Sequence, residues 1–312
     1  MDINSFLKLV EIKTKAASIT PFILANLYLF YHYENFNLAN FSLFFLSLLA
    51  ADMGTTAVNN YQDFKRAQKK EGYNYEKHNA IVKYNLSEKT VKKTILILFS
   101  AAVIIGLILF FRTDIVVLLI GALSFLVGIL YTSGPVPISR TPSGEIFSGF
   151  FMGFFISFLA IYIHNLELFN IFRESSKIII EMIYYDIIKI FIFTLPLILG
   201  ISNIMLANNI CDIEDDLAND RYTLAIYIGK TKSLNLFKHL YYLSYLSIII
   251  SVILNILPVY SLLALLTYLI VEKNINTFFK NQSKKETFEL AVQNFLIINY
   301  ATALTLIIAL IF

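Results

Sequence analysis

The chain has 312 residues, 57% hydrophobic against 15% charged, and a mean hydropathy of +0.68, which is more apolar surface than a soluble domain of that length can bury. This excludes a water-soluble globular enzyme and points to a polytopic membrane protein whose solvent is the lipid bilayer. The formal net charge of +3 comes without a basic patch interleaved with base-stacking aromatics, so no nucleic-acid partner is expected.

The first residues, MDINSFLKLVEIKTKAAS, are too polar for a signal peptide and lack a small-residue cleavage site. They suit a short amphipathic helix on the inner membrane surface. A helix crossing the hydrocarbon needs about 20 apolar residues. Nine runs qualify, at 16–33, 39–61, 94–111, 114–131, 145–164, 187–207, 234–254, 256–271 and 289–312. The short joints near 111–114 and 254–257 predict tight hairpins. The expected fold class is therefore all-α, with nine transmembrane helices. Segments 1–15, 62–93, 132–144, 208–238 and 272–288 carry 21 of the 25 Lys and Arg residues, leaving Arg112, Arg173, Lys177 and Lys189 on the other side. That asymmetry predicts a cell-membrane protein with a cytoplasmic N-terminus and an outer C-terminus. The single cysteine, Cys211, excludes an intrachain disulfide and a thiolate zinc cluster, and reads as a small apolar filler.

Two polar motifs interrupt this pattern. NNYQD, Asn59 to Asp63, lies at the inner end of the second run, and NNICDIEDD, Asn208 to Asp216, at the inner end of the sixth. One domain of two quasi-equivalent halves, about 16–131 and 145–271, followed by a ninth helix at 289–312, would give the motifs matching places, a recurrent way to build one central site. At about 100° per residue, Asp52, Asn59 and Asp63 fall within about 20° of one line, with Thr56 close by. On the sixth helix Asn209, Asp212 and Asp216 share a face, with Asn208, Asp212 and Asp215 as the adjacent alternative. Asp52, about two turns inside its helix, is expected to face a cavity or the bundle interior.

Carboxylates and amides without histidine or cysteine favour magnesium or calcium over zinc. Magnesium commonly bridges a few carboxylates to substrate phosphates, so the stripes suggest a metal-held diphosphate. Lys65, Arg66, Arg221 and Arg140 are cations available for the remaining phosphate oxygens. Any one of these charges alone reads as a solvated helix cap or a positive-inside anchor; two motifs at corresponding helix ends do not. His32, His78, His164 and His239 are scattered, so a histidine metal site or base is not expected.

NNYQDFKRA, then YTSGPVPISRTPSGEIFSGFFMG (Tyr131–Gly153), then NNICDIEDDLANDRYTLAIYIG (Asn208–Gly229) resemble the UbiA superfamily of intramembrane prenyltransferases. Within it they are most similar to the branch that prenylates 1,4-dihydroxy-2-naphthoate in menaquinone synthesis. The resemblance implies helices around a central cavity capped by polar motif loops on the cytoplasmic side, with Mg2+ as cofactor and a polyprenyl diphosphate as donor. By position, it implies Asp63, Asp212 and Asp216 as catalytic metal ligands, with Asp215 beside them. Asn59, Asn60, Asn208 and Asn209 line the substrate site. This chain has Asn60 and Ala67 where many relatives carry acids, which leaves Asp63 as the carboxylate of the first motif and Glu71 as a candidate replacement. Tyr61, Tyr131 and the Phe147–Phe155 cluster are candidates to stabilise an allylic cation. Arg140 is a candidate for the acceptor's carboxylate, and Glu145 reads as a helix N-terminal acid. Other acceptors, namely a phenolic acid, a haem or a glycerol phosphate lipid, share the diphosphate machinery. A cation transporter is the reading from another class, but it gains nothing from Lys65, Arg66 and Arg221 beside its carboxylates.

Overall fold

The computed structural model describes residues 1–33, 35–66 and 79–312. Contacts divide these into two compact units. The first is Met1–Ser18 with Leu38–Pro137, the second Ile19–Asn37 with Ile138–Phe312.

In the first unit, α1 (Ile3–Leu9) starts at Asp2, whose carboxylate accepts the Ser5 N–H at 3.0 Å. Helix α2 (Ala16–His32) begins here and continues into the second unit. Helix α3 (Leu38–Arg66) packs along α5 (Glu88–Arg112), reached through the single turn α4 (Ala80–Lys83). Ser87 caps α5, accepting the Thr90 N–H at 3.2 Å. The α3–α5 contact is close because Gly54 leaves room for the Phe99 ring, and Ser47 Oγ donates to the Ala102 carbonyl at 2.8 Å. Asp114 starts α6 (Ile115–Thr132) by accepting from Val116 N at 2.8 Å, which makes the joint after α5 the tight hairpin expected there.

The second unit is centred on α7 (Gly144–Tyr162) and α8 (Tyr184–Cys211). Of their most apolar stretches 67% and 61% are buried, against 11% for α5, so these two form a protein core where α5 presents itself to lipid. Residues Gly149–Phe155 of α7 are wound as a π-helix. Gly149 and Gly153 lie directly on the α8 backbone: a Cβ at Gly149 would meet Ser202 Oγ at 2.1 Å and the Ile198 carbonyl at 2.6 Å. Two strands, β1 (Phe169–Glu174) and β2 (Lys177–Met182), pair antiparallel with Phe169 opposite Met182. Apolar-run counting does not reveal this hairpin. The short helices α9 (Ile213–Ala218) and α10 (Leu224–Ile228) precede the long α11 (Lys230–Ile253), α12 (Val259–Lys280) and α13 (Glu289–Ile311). The second expected tight joint is present: Asn255 takes the left-handed conformation (φ 55°) while Ile256 N and Leu257 N both donate to the Ser251 carbonyl.

Eight of these helices are long and apolar enough to cross a membrane. The remaining expected run, 16–33, forms the helix α2, whose 17 residues extend about 26 Å at the helical rise, and it is not among those eight. Helix α12 runs well past the expected residue 271, and its first nine residues form a 3-10 helix.

Candidate active site

The second motif lies wholly in the second unit. Helix α8 ends at Cys211, and Asp212 is its C-cap, with its N–H on the Asn208 carbonyl at 3.1 Å. Asp216 then belongs to α9, so the acid stripe expected on one continuous helix is divided between two. The turn between them stays closed, because Asp216 N donates to the Asp212 carbonyl at 2.7 Å. Asn209 and Asp216 are buried, Asn208 is half-buried, and Glu214 and Asp215 are exposed. The carboxylate cluster of the second motif is thus two-faced: two of its acids turn to solvent and one is enclosed.

Around Asp216 the chain folds back on itself. Arg221 N donates to the Asp216 carbonyl at 2.9 Å, and Arg221 Nε lies 3.2 Å from Asp216 Oδ1. Tyr222 N donates to the Arg140 carbonyl at 3.1 Å, which pins the Arg140 loop to the segment following the motif. Burial pushes the Asp216 carboxyl above the usual carboxylate range; the Arg221 guanidinium opposes this and the Asp212 charge adds to it. Asp212 is paired through Oδ2 with the ammonium of Lys284, from the segment between α12 and α13.

Glu145, in the first turn of α7, is 3% exposed and accepts from Asn209 Nδ2 at 2.8 Å. Its carbonyl accepts from Ser202 Oγ at 2.9 Å, so Glu145 is tied to α8 at both its backbone and its side chain. The glycines of α7 make this reach possible by letting the two helices touch. Three acceptor oxygens, Glu145 Oε2, Asn209 Oδ1 and Asp216 Oδ2, are buried without a hydrogen-bond partner. Buried acceptors left so are costly, and a hard cation satisfies them. Among the described residues no three Asp, Glu, His or Cys side chains converge into a finished cation site. The oxygen set therefore fits an ion that keeps waters and takes further oxygens from its substrate, as magnesium does.

The first motif lies in the first unit. Asn59 and Asp63 are exposed on α3. Asn60 is buried, and its Nδ2 donates to the Leu9 carbonyl at 3.0 Å and to Glu11 Oε1 at 3.2 Å. Its amide thus holds the N-terminal segment. Lys65 Nζ is bound to Glu88 Oε1 at 2.7 Å, and Tyr61 donates to Glu88 Oε2 at 3.1 Å. Asp52 faces the interior but not a cavity: it pairs with the fully buried Lys15 ammonium at 2.5 Å and with Ser18 Oγ. Tyr131 is half-buried at the end of α6, in the first unit. Phe150, Phe151, Phe154 and Phe155 pack against one another with ring centroids 4.9–6.3 Å apart, mostly edge to face, with Phe150 and Phe154 stacked. The Arg66 side chain, Ala67, Lys69, Lys70, Glu71 and His78 lie outside the described residues.

Residues 18–299 match the model of the UbiA prenyltransferase family. The chain belongs to that family. It is 30% identical over 226 residues to the 1,4-dihydroxy-2-naphthoate octaprenyltransferase of Bacillus subtilis (strain 168), across 72% of this chain and 65% of that relative's length. The fold is that of the UbiA homolog from Archaeoglobus fulgidus solved bound to GPP and Mg2+, with a TM-score of 0.68 at 14% identity over 99% of this chain and all of that one. It is also similar to the apo UbiA homolog from Aeropyrum pernix K1, with a TM-score of 0.68 at 15% identity over 92% and 96% of the two chains. UbiA membership and the apolar helices together make this a multi-pass membrane protein. Relative to the UbiA motifs read from sequence, the structure adds Glu145 and Lys284. Both sit far from the motifs in sequence, and only the acid two residues past the Pro142–Ser143 turn carried any signal, which was read as a helix-end charge.

Proposed function

We propose that the protein transfers a polyprenyl group from an allylic polyprenyl diphosphate to an aromatic acceptor in a magnesium-dependent reaction. The acceptor we propose is 1,4-dihydroxy-2-naphthoate, prenylated with loss of its carboxylate to give demethylmenaquinol. The observation that carries this reading is the three unpartnered buried oxygens, two on the second motif and one on Glu145, which accepts from Asn209. The 30% identity to a naphthoate octaprenyltransferase supports the choice of acceptor.

Asp212, Asp216 and Asn209 would hold Mg2+, with Asp215 beside them and Asp63 as the ligand from the first motif. Bound there, the ion supplies positive charge to neutralise the departing diphosphate. Arg221, already at Asp216, is proposed for phosphate oxygens, and Arg140 for the acceptor's carboxylate. Asn59, Asn208 and Tyr131 are proposed to contact substrate, as are Lys65 and Arg66; Lys65 has to leave Glu88 to do so. The allylic C–O bond breaks with its electron pair leaving on diphosphate. A carbon of the electron-rich ring supplies the pair for the new C–C bond, and the ring regains its aromatic character as the carboxylate departs as carbon dioxide. The orientation proposed is that of the charge asymmetry, with the N-terminus in the cytoplasm.

A cation transporter is the reading outside enzymes. Its path would use Asp52 together with the carboxylate clusters, and the Lys15 ammonium bound to Asp52 counts against that residue's part in it.

The test is prenyl transfer by the purified full chain in detergent or lipid, with magnesium or chelator, for wild type and Asp212→Asn. Magnesium-dependent prenylation of the naphthoate, lost in the variant, is the expected result. Product formed only with a phenolic acid, a haem or a glycerol phosphate acceptor would keep the diphosphate chemistry and replace the acceptor. No product from a folded wild type with any of them would sink the reading.

A further inference from the structure

Among the described residues of the second unit, Glu145 is the one buried acid that lies outside the second motif. A carboxylate sunk in a helix contact is costly unless it is paired or given a task. The facing side chain is not a cation but the Asn209 amide, which donates Nδ2 to Glu145 Oε1 at 2.8 Å. The Oε1 atom accepts here, so this bond is made by the donor end of the amide. Asn209 must spend its donor on Glu145, and its Oδ1 is left as the atom it can offer. That oxygen is buried and unpartnered, as are Glu145 Oε2 and Asp216 Oδ2. Asn209 and Asp216 share the second motif, while Glu145 arrives from α7.

We propose that Glu145 is a positioning residue for the cation at the second motif, orienting Asn209 so that its amide oxygen serves as a ligand and adding a carboxylate behind it. The inference rests on the magnesium–diphosphate reading above. Partners that orient a ligand from behind are commonly worth about 10–100-fold in metal affinity. Ser202 provides the control. It holds the Glu145 carbonyl at 2.9 Å, so removing its hydroxyl disturbs the same helix contact and leaves the carboxylate alone.

The experiment is binding of Mn2+ in the presence of inorganic diphosphate, followed by electron paramagnetic resonance of the purified full chain. The proteins are wild type, Glu145→Gln, Glu145→Met and Ser202→Ala, with melting temperature recorded for each. The half-saturating Mn2+ concentration should rise about tenfold or more for Glu145→Met. The rise should be smaller for Glu145→Gln, whose Oε1 can still accept from Asn209, and Ser202→Ala should stay within about twofold of wild type. Wild-type binding by Glu145→Met, or an equal rise for Glu145→Met and Ser202→Ala, overturns the proposal and leaves the site's magnesium reading standing. Wild-type protein that binds no Mn2+ with diphosphate overturns that reading and this inference with it.

Discussion

The Lys284 ammonium sits on Asp212 Oδ2, joining residues 72 apart in sequence at the end of α8. The oxygen it occupies is one the proposed magnesium requires, so lysine and metal compete. Lys284 is more than half exposed, and exposed pairs are worth about 0–1 kcal/mol. Lys284→Met should therefore lower the half-saturating Mn2+ concentration by roughly two- to fivefold in a titration without diphosphate. A raised half-saturating concentration would mean that Lys284 supports the metal site and does not compete for Asp212.

The Lys15–Asp52 pair makes a different prediction, about folding. Removing one partner leaves a buried charge uncompensated, typically at a cost of about 3–5 kcal/mol. Lys15→Met should lower the melting temperature of the purified protein markedly, and Lys15→Met with Asp52→Asn should recover much of the loss. Additive losses in the double variant would show that the two residues do not act as a pair.

Gly149 tests whether the α7–α8 contact governs the site. Its missing Cβ is space already taken by Ser202 Oγ and the Ile198 carbonyl. Gly149→Ala should force the helices apart at a cost of about 1–3 kcal/mol and reduce prenyl transfer through Glu145. Gly121, where a Cβ meets nothing within 4 Å, is the comparison. There alanine should leave activity unchanged and, by helix propensity, add about 0.5–1 kcal/mol of stability.

His164, just beyond α7, accepts the Asn37 N–H on Nδ1 at 2.9 Å. Burial pushes its imidazole down to about 4. Between about 6.5 and that value the unfolded chain binds a proton that the folded chain refuses, so stability falls as pH is lowered through the window. Melting curves from pH 7 to 4 should show a loss in wild type that is smaller in His164→Gln. Parallel curves would remove His164 as the cause.

The spans and both tight joints were legible because apolar length and capping residues such as Asp114 act locally. The same is true of the motifs' existence. What was not legible is pairing across distance: nothing near Asp212 announces Lys284, and nothing near Asp52 announces Lys15. The helical wheel placed Asp212 and Asp216 on one face, but it assumed a helix that in fact ends at Cys211. Glu145 was legible as the acid of a helix's first turn, where it lies, but its partner Asn209 was not, because that pairing is set by glycine-mediated helix contact and not by its neighbours in sequence. The β-hairpin was hidden for the opposite reason, since its strands are exposed and their sequence carries charges.

The hydrogen bonds of Asn60 say what its amide does in the first motif. An amide can donate to the Leu9 carbonyl; an ionised carboxylate cannot. The Asn60→Asp substitution would therefore break this bond. It would set a negative charge beside Glu11 and unbolt residues 9–11 from α3. The start of the chain is thus a working part of the first motif, and an affinity tag belongs at the other end.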